Sequence, residues 1–357
     1  MLLRHLAVFL VAGLGISQAA DYPAAREGDA GLSNFKFRSG KTLPELRIHY
    51  NVLGQPQRDA AGVVRNAVLI MHGTAGAGKN LLRPEFAGEL FGLGQPLDAT
   101  KYFIVLPDAI GHGQSSKPSD GLHASFPSYG YLDIVEASRR LLVDGLGVNH
   151  LRLVMGTSQG AMLTWLWGEQ HPEFVDALMP LASLPVQISG RNRAWRRLVI
   201  DAVRGDPEWR GGDYSTQPPS LHTVAQMFFL VSSNPVLRQN EAPTLADSDR
   251  VLATYVADFV KVHDATDVLY AIEASYDYDP NPALEKIRAP LLAVNSADDY
   301  INPPELGILE REIKRVPHGR AIVIPLGPDT RGHGSHTIAK LWKDELAKLL
   351  AESETAP

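Results

Sequence analysis

The stretch Leu151-Arg152-Leu153-Val154-Met155-Gly156-Thr157-Ser158-Gln159-Gly160 decides how the rest of the chain is read. A short apolar run leads into Gly-x-Ser-x-Gly, and a helical pattern over residues 161–170 follows at once. Strand, tight turn and helix in that order are what an exposed nucleophilic serine needs. The two glycines let the backbone bend where a Cβ would clash. The hydroxyl then projects beyond the strand at the N-terminus of a helix, where backbone N–H groups point outward. The competing reading is a loop serine that happens to lie between two glycines. The apolar strand before it and the helix after it speak against that. A nucleophile alone does nothing, so the chain must also supply a base, an acid and an oxyanion hole.

Composition narrows the setting. The chain has 357 residues, 45% of them hydrophobic and 21% charged, enough for a sizeable core. The formal net charge is −6 and there is no basic run, which argues against nucleic acid or an anionic membrane surface as the main partner. There is no cysteine, which excludes disulfides, a thiolate nucleophile and Cys-ligated metal. Residues 1–20 read as a secretory signal: Arg4 and His5, an apolar run over residues 6–16, then the small-x-small pattern Ser17-Gln18-Ala19 with Ala20 behind it. That run is short for a bilayer span, so the expectation is cleavage near Ala19 or Ala20, a periplasmic or secreted protein, and no membrane span afterwards. An uncleaved anchor is the alternative.

Along the chain, residues 20–33 are rich in Gly, Ala and Asp and read as loose. Residues 35–37 and 46–53 read as strands; in the second, Leu46, Ile48, Tyr50 and Val52 alternate with Arg47, His49 and Asn51. Residues 67–71 and 103–106 are continuous apolar runs, the pattern of buried central strands; residues 151–155 read as the strand before the serine, 177–181 as a further buried strand, and residues 130–142 have helical spacing. From 186 to 289 no buried strand is visible and long helical segments dominate. Strands return at 291–294 and 321–324, with helices expected near 304–315 and 338–351. The sum is an α/β protein: a mostly parallel sheet with helices on both faces, a core over residues 31–185 and 290–352, and a helical lid insertion over 186–289. Ligands in such folds bind beyond the carboxyl ends of the strands.

A serine hydroxyl is a weak nucleophile. It needs a neutral imidazole to take its proton and a carboxylate to orient that imidazole. On this kind of sheet the order is Ser, acid, His. Asp298 and Asp299 follow the strand at 291–294; His333 and His336 follow the strand at 321–324. Asp299 is preferred because Tyr300-Ile301-Asn302-Pro303-Pro304 forms a rigid exit behind it. His333 is preferred because Gly332 precedes it and it lies farther from the last helix. The oxyanion donors are expected to be the N–H groups of Gln159, directly after the nucleophile, and of Thr74, after the strand at 67–71. His72 reads as structural. Gly73-Thr74-Ala75-Gly76-Ala77-Gly78-Lys79 has the spacing of a phosphate-binding loop, but Asn80 stands where a Ser or Thr belongs. His333 and His336 have no third ligand at zinc spacing, so no metal site is expected. Asp108 to Ser115 reads as a structural loop in which Asp108 accepts backbone N–H bonds. Trp195, Trp209, Phe228 and Phe229 are candidates to line a lid pocket, or simple packing.

These residues resemble the α/β-hydrolase superfamily and, within it, the homoserine O-acetyltransferase branch. Phe37-Arg38-Ser39-Gly40-Lys41-Thr42-Leu43-Pro44-Glu45-Leu46 is similar to that branch's opening signature. Asp206-Pro207-Glu208-Trp209 with Gly211-Gly212-Asp213-Tyr214 resembles its lid segment. Asp299 with Pro303-Pro304, and Gly332-His333, fall at the positions of its acid and base. The elbow differs: Thr157, Gln159 and Ala161 replace residues of the branch's Gly-Gly-Ser-Met-Gly-Gly, and Gly334 replaces an Asp after the His. Counting back from Asp206 puts Ile200 where the branch's lid arginine holds the homoserine carboxylate; Arg196 and Arg197 lie nearby.

The resemblance implies an α/β-hydrolase fold and a serine hydrolase that cleaves an ester or related small-molecule acyl compound through an acyl-enzyme on Ser158. The alternatives are an O-acyltransferase of the homoserine O-acetyltransferase type and a catalytically inactive binding relative. No cofactor is implied. Relatives of this branch are often homodimers.

Overall fold

The computed structural model describes residues 22–354. The proposed signal segment over residues 1–20 lies outside them. One eight-stranded sheet carries the chain: β1 (Arg26–Lys36), β2 (Thr42–Leu53), β3 (Ala67–Met71), β4 (Phe103–Pro107), β5 (Leu153–Thr157), β6 (Leu178–Leu181), β7 (Leu291–Ser296) and β8 (Gly319–Ile324). The spatial order is β1-β2-β4-β3-β5-β6-β7-β8. The pairs β1–β2 and β2–β4 are antiparallel and all the others parallel.

The five strands from β3 to β7 are buried at every residue. A strand apolar on both faces requires cover on both, and the side chains divide accordingly. Val68, Ile70, Leu153 and Met155 pack towards α1 (Ala87–Leu90) and α10 (Lys343–Glu354). Leu69, Met71 and Val154 pack towards α2 (Tyr131–Arg140) and α3 (Gln159–Gln170).

Three local expectations need correction. The Gly- and Asp-rich segment after residue 25 is not loose but is most of β1. As the edge strand it buries only one face, through Ala30, Leu32 and Phe35, so its composition stays polar. Gly28 is needed there because a Cβ would stand 2.5 Å from the Tyr50 hydroxyl on the neighbouring strand. The expected helix at 304–315 is cut to a short α9 (Ile308–Glu312), with the left-handed Gly307 (φ 61°) at its start. The last helix begins at Lys343, because Ile338 (φ −95°, ψ 84°) leaves helical geometry and its neighbours form two 3₁₀ turns.

Between β6 and β7 the chain leaves the sheet and forms α4 (Gly190–Arg204), α5 (Ser220–Ser232), α6 (Pro235–Glu241), α7 (Leu245–Val262) and α8 (Ala265–Glu273). These helices enclose their own apolar cluster, which includes Val199, Leu221, Val224, Phe259 and Leu269. They touch the loops that follow β3 and β7: His263 Nε2 faces the Ala75 carbonyl at 3.2 Å, and Asn234 bonds Asp298. The insertion therefore stands over the carboxyl ends of the parallel strands. No helix among the described residues is long and apolar enough to cross a membrane.

One of the tightest backbone approaches in the fold is where β5 turns into α3. A Cβ at Gly160 would lie 2.0 Å from the Met71 carbonyl oxygen, and one at Gly156 would lie 2.2 Å from the Gly160 carbonyl. Neither clash can be relieved by a rotamer change, because backbone meets backbone. Gly160→Ala is expected to cost about 3 kcal/mol in denaturant unfolding, the upper end of overpacking penalties. An unchanged midpoint would show that this approach is not tight.

Candidate active site

Ser158 follows β5 directly and caps α3 with φ 54° and ψ −108°. A non-glycine residue holds such a conformation only where its surroundings over-determine it. Here the Ser158 N–H donates to the Leu181 carbonyl at 2.8 Å, and its own carbonyl accepts from Met162 N–H at 3.1 Å. Gly160 N–H donates to the His72 carbonyl at 3.0 Å. Three adjacent strands thus fix the turn, and the hydroxyl is left free to point outward.

Two residues meet that hydroxyl in series. His333 Nε2 lies 2.8 Å from Ser158 Oγ, and His333 Nδ1 lies 2.9 Å from Asp299 Oδ2. An ionised carboxylate only accepts, so Nδ1 carries the proton and the Nε2 lone pair faces the serine hydroxyl. Asp299 is completely buried and also accepts from Ile301 N–H at 2.8 Å and Asn302 N–H at 3.1 Å. Burial alone would raise its pKa. The adjoining His333 ring and the Asn302 and Ile301 amides outweigh that and hold the carboxyl below its usual range.

The other two candidates stand apart from this line. Asp298 turns its carboxylate to Asn234, Ser296 and the Gly332 amide. His336 directs Nδ1 at the His333 carbonyl, and burial, reinforced by the neighbouring His333, pushes its pKa down to about 3.

The loop after β3 closes against the serine from the other side. A Cβ on Gly73 would touch Ser158 Cβ at 3.4 Å, so glycine lets the backbone come this near. Among the described residues, neither Thr74 N–H nor Gln159 N–H donates to a backbone or side-chain acceptor. The Gln159 side-chain amide is also fully buried with both polar atoms unpartnered. His72 holds the loop: Nδ1 donates to Gly73 O at 2.8 Å, and Nε2 accepts from Ala109 N–H at 3.0 Å. His112 presents its two ring nitrogens to the carbonyls of Ile110 and Thr74, and burial lowers its pKa to about 4. Asp108 accepts from Gly78 N–H at 2.6 Å and Gln114 N–H at 2.8 Å, so the phosphate-loop spacing is taken up by internal bonding.

On the lid, Trp195, Trp209 and Phe228 pack within the apolar cluster, and Phe229 packs on Tyr255 under Arg238. Arg196, rather than Arg197 or Ile200, is the distinctive lid residue. It is buried and bonded to Asn192 Oδ1 at 3.1 Å and Ser275 Oγ at 3.2 Å. Among the described residues no carboxylate pairs with it. The Tyr131 hydroxyl faces both Arg196 and Thr74 without an aligned hydrogen bond. Arg197 is exposed and paired with Asp201, and Ile200 is in the lid core. Asn234 and Asn302 escape a reading by motif. The one signal for Asn234 is its place before Pro235, a helix-start pattern.

The partly buried, neutral His336 has a consequence for stability. Its folded pKa (about 3) is below the ordinary value of about 6.5, so the unfolded chain binds more protons between these limits. The stabilisation is complete above pH 6.5 and is lost as the pH falls. Unfolding free energy of the wild type is expected to drop between pH 6.5 and 4 more steeply than that of His336→Asn, by about 1.4 kcal/mol per pH unit. Parallel curves would refute a neutral imidazole in the folded protein.

Comparison with known proteins gives the same architecture. The chain matches the family model described as alpha/beta hydrolase fold over residues 66–336. A probable acyltransferase of Methanothermobacter thermautotrophicus is 29% identical over 77% of this chain and 83% of its own. The homoserine O-acetyltransferase of Moorella thermoacetica is 28% identical over 74% and 80%. Among solved structures, an acetylester hydrolase from Corynebacterium glutamicum superposes with a TM-score of 0.79 at 21% identity, covering 91% of this chain and 96% of that one. The homoserine O-acetyltransferase from Bacillus anthracis gives 0.78 at 20% identity, over 92% and 98%. With the family model matching most of its length, this chain belongs to the α/β-hydrolase fold family.

Proposed function

We propose that this protein is an esterase-like serine hydrolase that works through an acyl-enzyme on Ser158. The observation that carries the proposal is the unbroken line Ser158 Oγ–His333–Asp299, with links of 2.8 and 2.9 Å. Ser158 Oγ attacks the acyl carbonyl as His333 Nε2 takes its proton. Asp299 keeps the imidazole in the required tautomer and stabilises the imidazolium that forms. The developing oxyanion is received by the Thr74 and Gln159 N–H groups, which supports their lack of internal partners as preorganisation. His333 then returns the proton to the leaving group. It next activates a water that releases the acid and regenerates the serine.

A second reading has its own support. The guanidinium of Arg196 is buried and hydrogen-bonded only to neutral groups, and such a charge is costly unless something anionic joins it. A hydroxyl acceptor bearing a carboxylate fits, and the same acyl-enzyme would then be resolved by acyl transfer. The relatives named as acyltransferases favour this alternative. Export directed by residues 1–20 remains part of the proposal; the mass of the mature N-terminus, beginning near Ala20, tests it.

A fluorophosphonate probe is expected to label the wild type and not Ser158→Ala; an unlabelled wild type would leave only a binding role. Asp299→Asn is expected to lower ester turnover about 10³–10⁴-fold, because the imidazole loses its tautomer. Asp298→Asn is expected to cost far less, and the reverse order would move the acid by one residue. Steady release of acid from a short acyl ester without added acceptor supports the hydrolase. Strict dependence on an alcohol acceptor that is abolished in Arg196→Met would select the transferase.

A further inference from the structure

Asp298 is a second buried carboxylate next to the acid, and the relay does not use it. It is 9% exposed, and all its hydrogen-bond partners are neutral. Gly332 N–H donates to Oδ2 at 2.8 Å. The Ser296 hydroxyl donates to Oδ1 and the Asn234 side-chain amide to Oδ2, and the Thr330 hydroxyl also faces the group. These donors belong to three separate parts of the molecule. Ser296 ends β7. Thr330 and Gly332 are in the loop that presents His333. Asn234 is the joint between α5 and α6 in the lid.

That joint is held in a defined orientation. Asn234 Oδ1 accepts from Leu237 N–H at 3.0 Å and caps α6, while its Nδ2 reaches Asp298. Both ends of one buried amide are therefore fixed. The backbones also meet: Gly332 has φ 62°, and a Cβ there would lie 3.1 Å from Asn234 N and 3.2 Å from Ser232 O. The histidine loop is seated directly against the lid joint, one residue before His333. Ionised acceptors in dry surroundings make the stronger class of hydrogen bond, so this contact transmits position better than apolar packing would.

We propose that Asp298 is a positioning residue that couples the lid to the base. Through Asn234 it sets the α5–α6 joint on the His333 loop, so a lid displaced at this joint carries His333 out of line with Ser158. The inference rests on the reading of Ser158 and His333 as nucleophile and base. Its chemical consequence is that the state of the lid controls the acylation step itself as well as access of substrate. A substrate that seats the lid correctly gains in kcat, not only in KM.

The test is the rate at which a small fluorophosphonate labels Ser158, a reaction that needs His333 but little of the lid pocket. Asn234→Ser is the informative variant, because serine still caps α6 but is too short to reach Asp298. We expect Asn234→Ser and Asp298→Asn each to label about tenfold more slowly, at a temperature well below unfolding. The double variant is expected to label no more slowly than the slower single one, since the neutral oxygen of Asp298→Asn weakens the same contact that Asn234→Ser removes. On an ester substrate kcat falls while KM stays within twofold. Labelling of Asn234→Ser within twofold of wild type overturns the coupling, as does a double variant whose loss is the product of the two singles. If Asn234→Ser does not fold, the near-isosteric Asp298→Asn carries the test. Faster hydrogen exchange over residues 327–337 together with slower labelling supports the coupling, and wild-type exchange and labelling overturn it. A wild type that does not label refutes the reading of Ser158; one that labels equally with Asn234→Ser refutes the coupling alone.

Discussion

The strained backbone of Ser158 is the constraint on which the rest depends. Its φ of 54° places a side chain where the chain would ordinarily have glycine, at a cost on the order of 1–3 kcal/mol. Nothing local compensates for that. The compensation is spread over the Leu181 and His72 carbonyls and over the packing of Gly160 onto Met71. The small residues on either side of the serine are thus part of the sheet's packing as much as of the turn. Because the turn is fixed from three strands, the hydroxyl has one direction available, and the loops after β3, β7 and β8 need only converge on that point.

They converge through a chain of decreasing freedom. Asp299 is immobilised by two backbone amides of its own loop, so it offers the imidazole a fixed oxygen. The imidazole has no further internal hydrogen-bond partner to hold it at Nε2 except the serine itself. Its register must then come from the backbone that carries it, and that backbone is seated on Asp298 and the lid joint. Two neighbouring carboxylates thus divide the work by direction: one bonds the ring, the other the loop. Both are held ionised against burial, Asp298 by neutral hydroxyl and amide donors and Asp299 chiefly by the imidazole.

The sequence carried the parts of this arrangement that follow from periodicity and chain order. β3 to β7 are buried on both faces, so they appear as unbroken apolar runs. The elbow glycines stand out because no Cβ fits where they lie. Two features were hidden for a physical reason. β1 buries one face only, so its polar outer residues and Gly28 look like loop. The expected helix start at 338 is lost where Ala339 N–H is drawn to the Glu85 carbonyl, a contact between residues far apart in the chain. The preference for Asp299 over Asp298 followed from Pro303-Pro304, but the separate use of Asp298 depends on Asn234 in the lid. No local pattern links positions 64 residues apart. The same holds for Arg196: helical spacing marks its helix, but only the fold shows that its hydrogen-bond partners are neutral.

Arg196 also bears on what resolves the acyl-enzyme. Water attacks from bulk, and its advantage is concentration. A bound acceptor competes only if it is held so that its effective molarity at the acyl carbon exceeds that of water, which oriented binding can achieve by orders of magnitude. Holding it requires an anchor at a fixed distance from Ser158. A buried guanidinium whose partners are a hydroxyl, an amide oxygen and the face of Trp195 at 4.7 Å has the chemistry that such an anchor needs. Its neighbour Tyr131 also faces Thr74, so an anion bound at Arg196 would lie beside the loop after β3 that is proposed to receive the oxyanion. The Ser158–His333–Asp299 line and the lid cation are separate features of the fold. On the proposed mechanism, passage of the acyl group to an acceptor rather than to water requires a carboxylate that spans them.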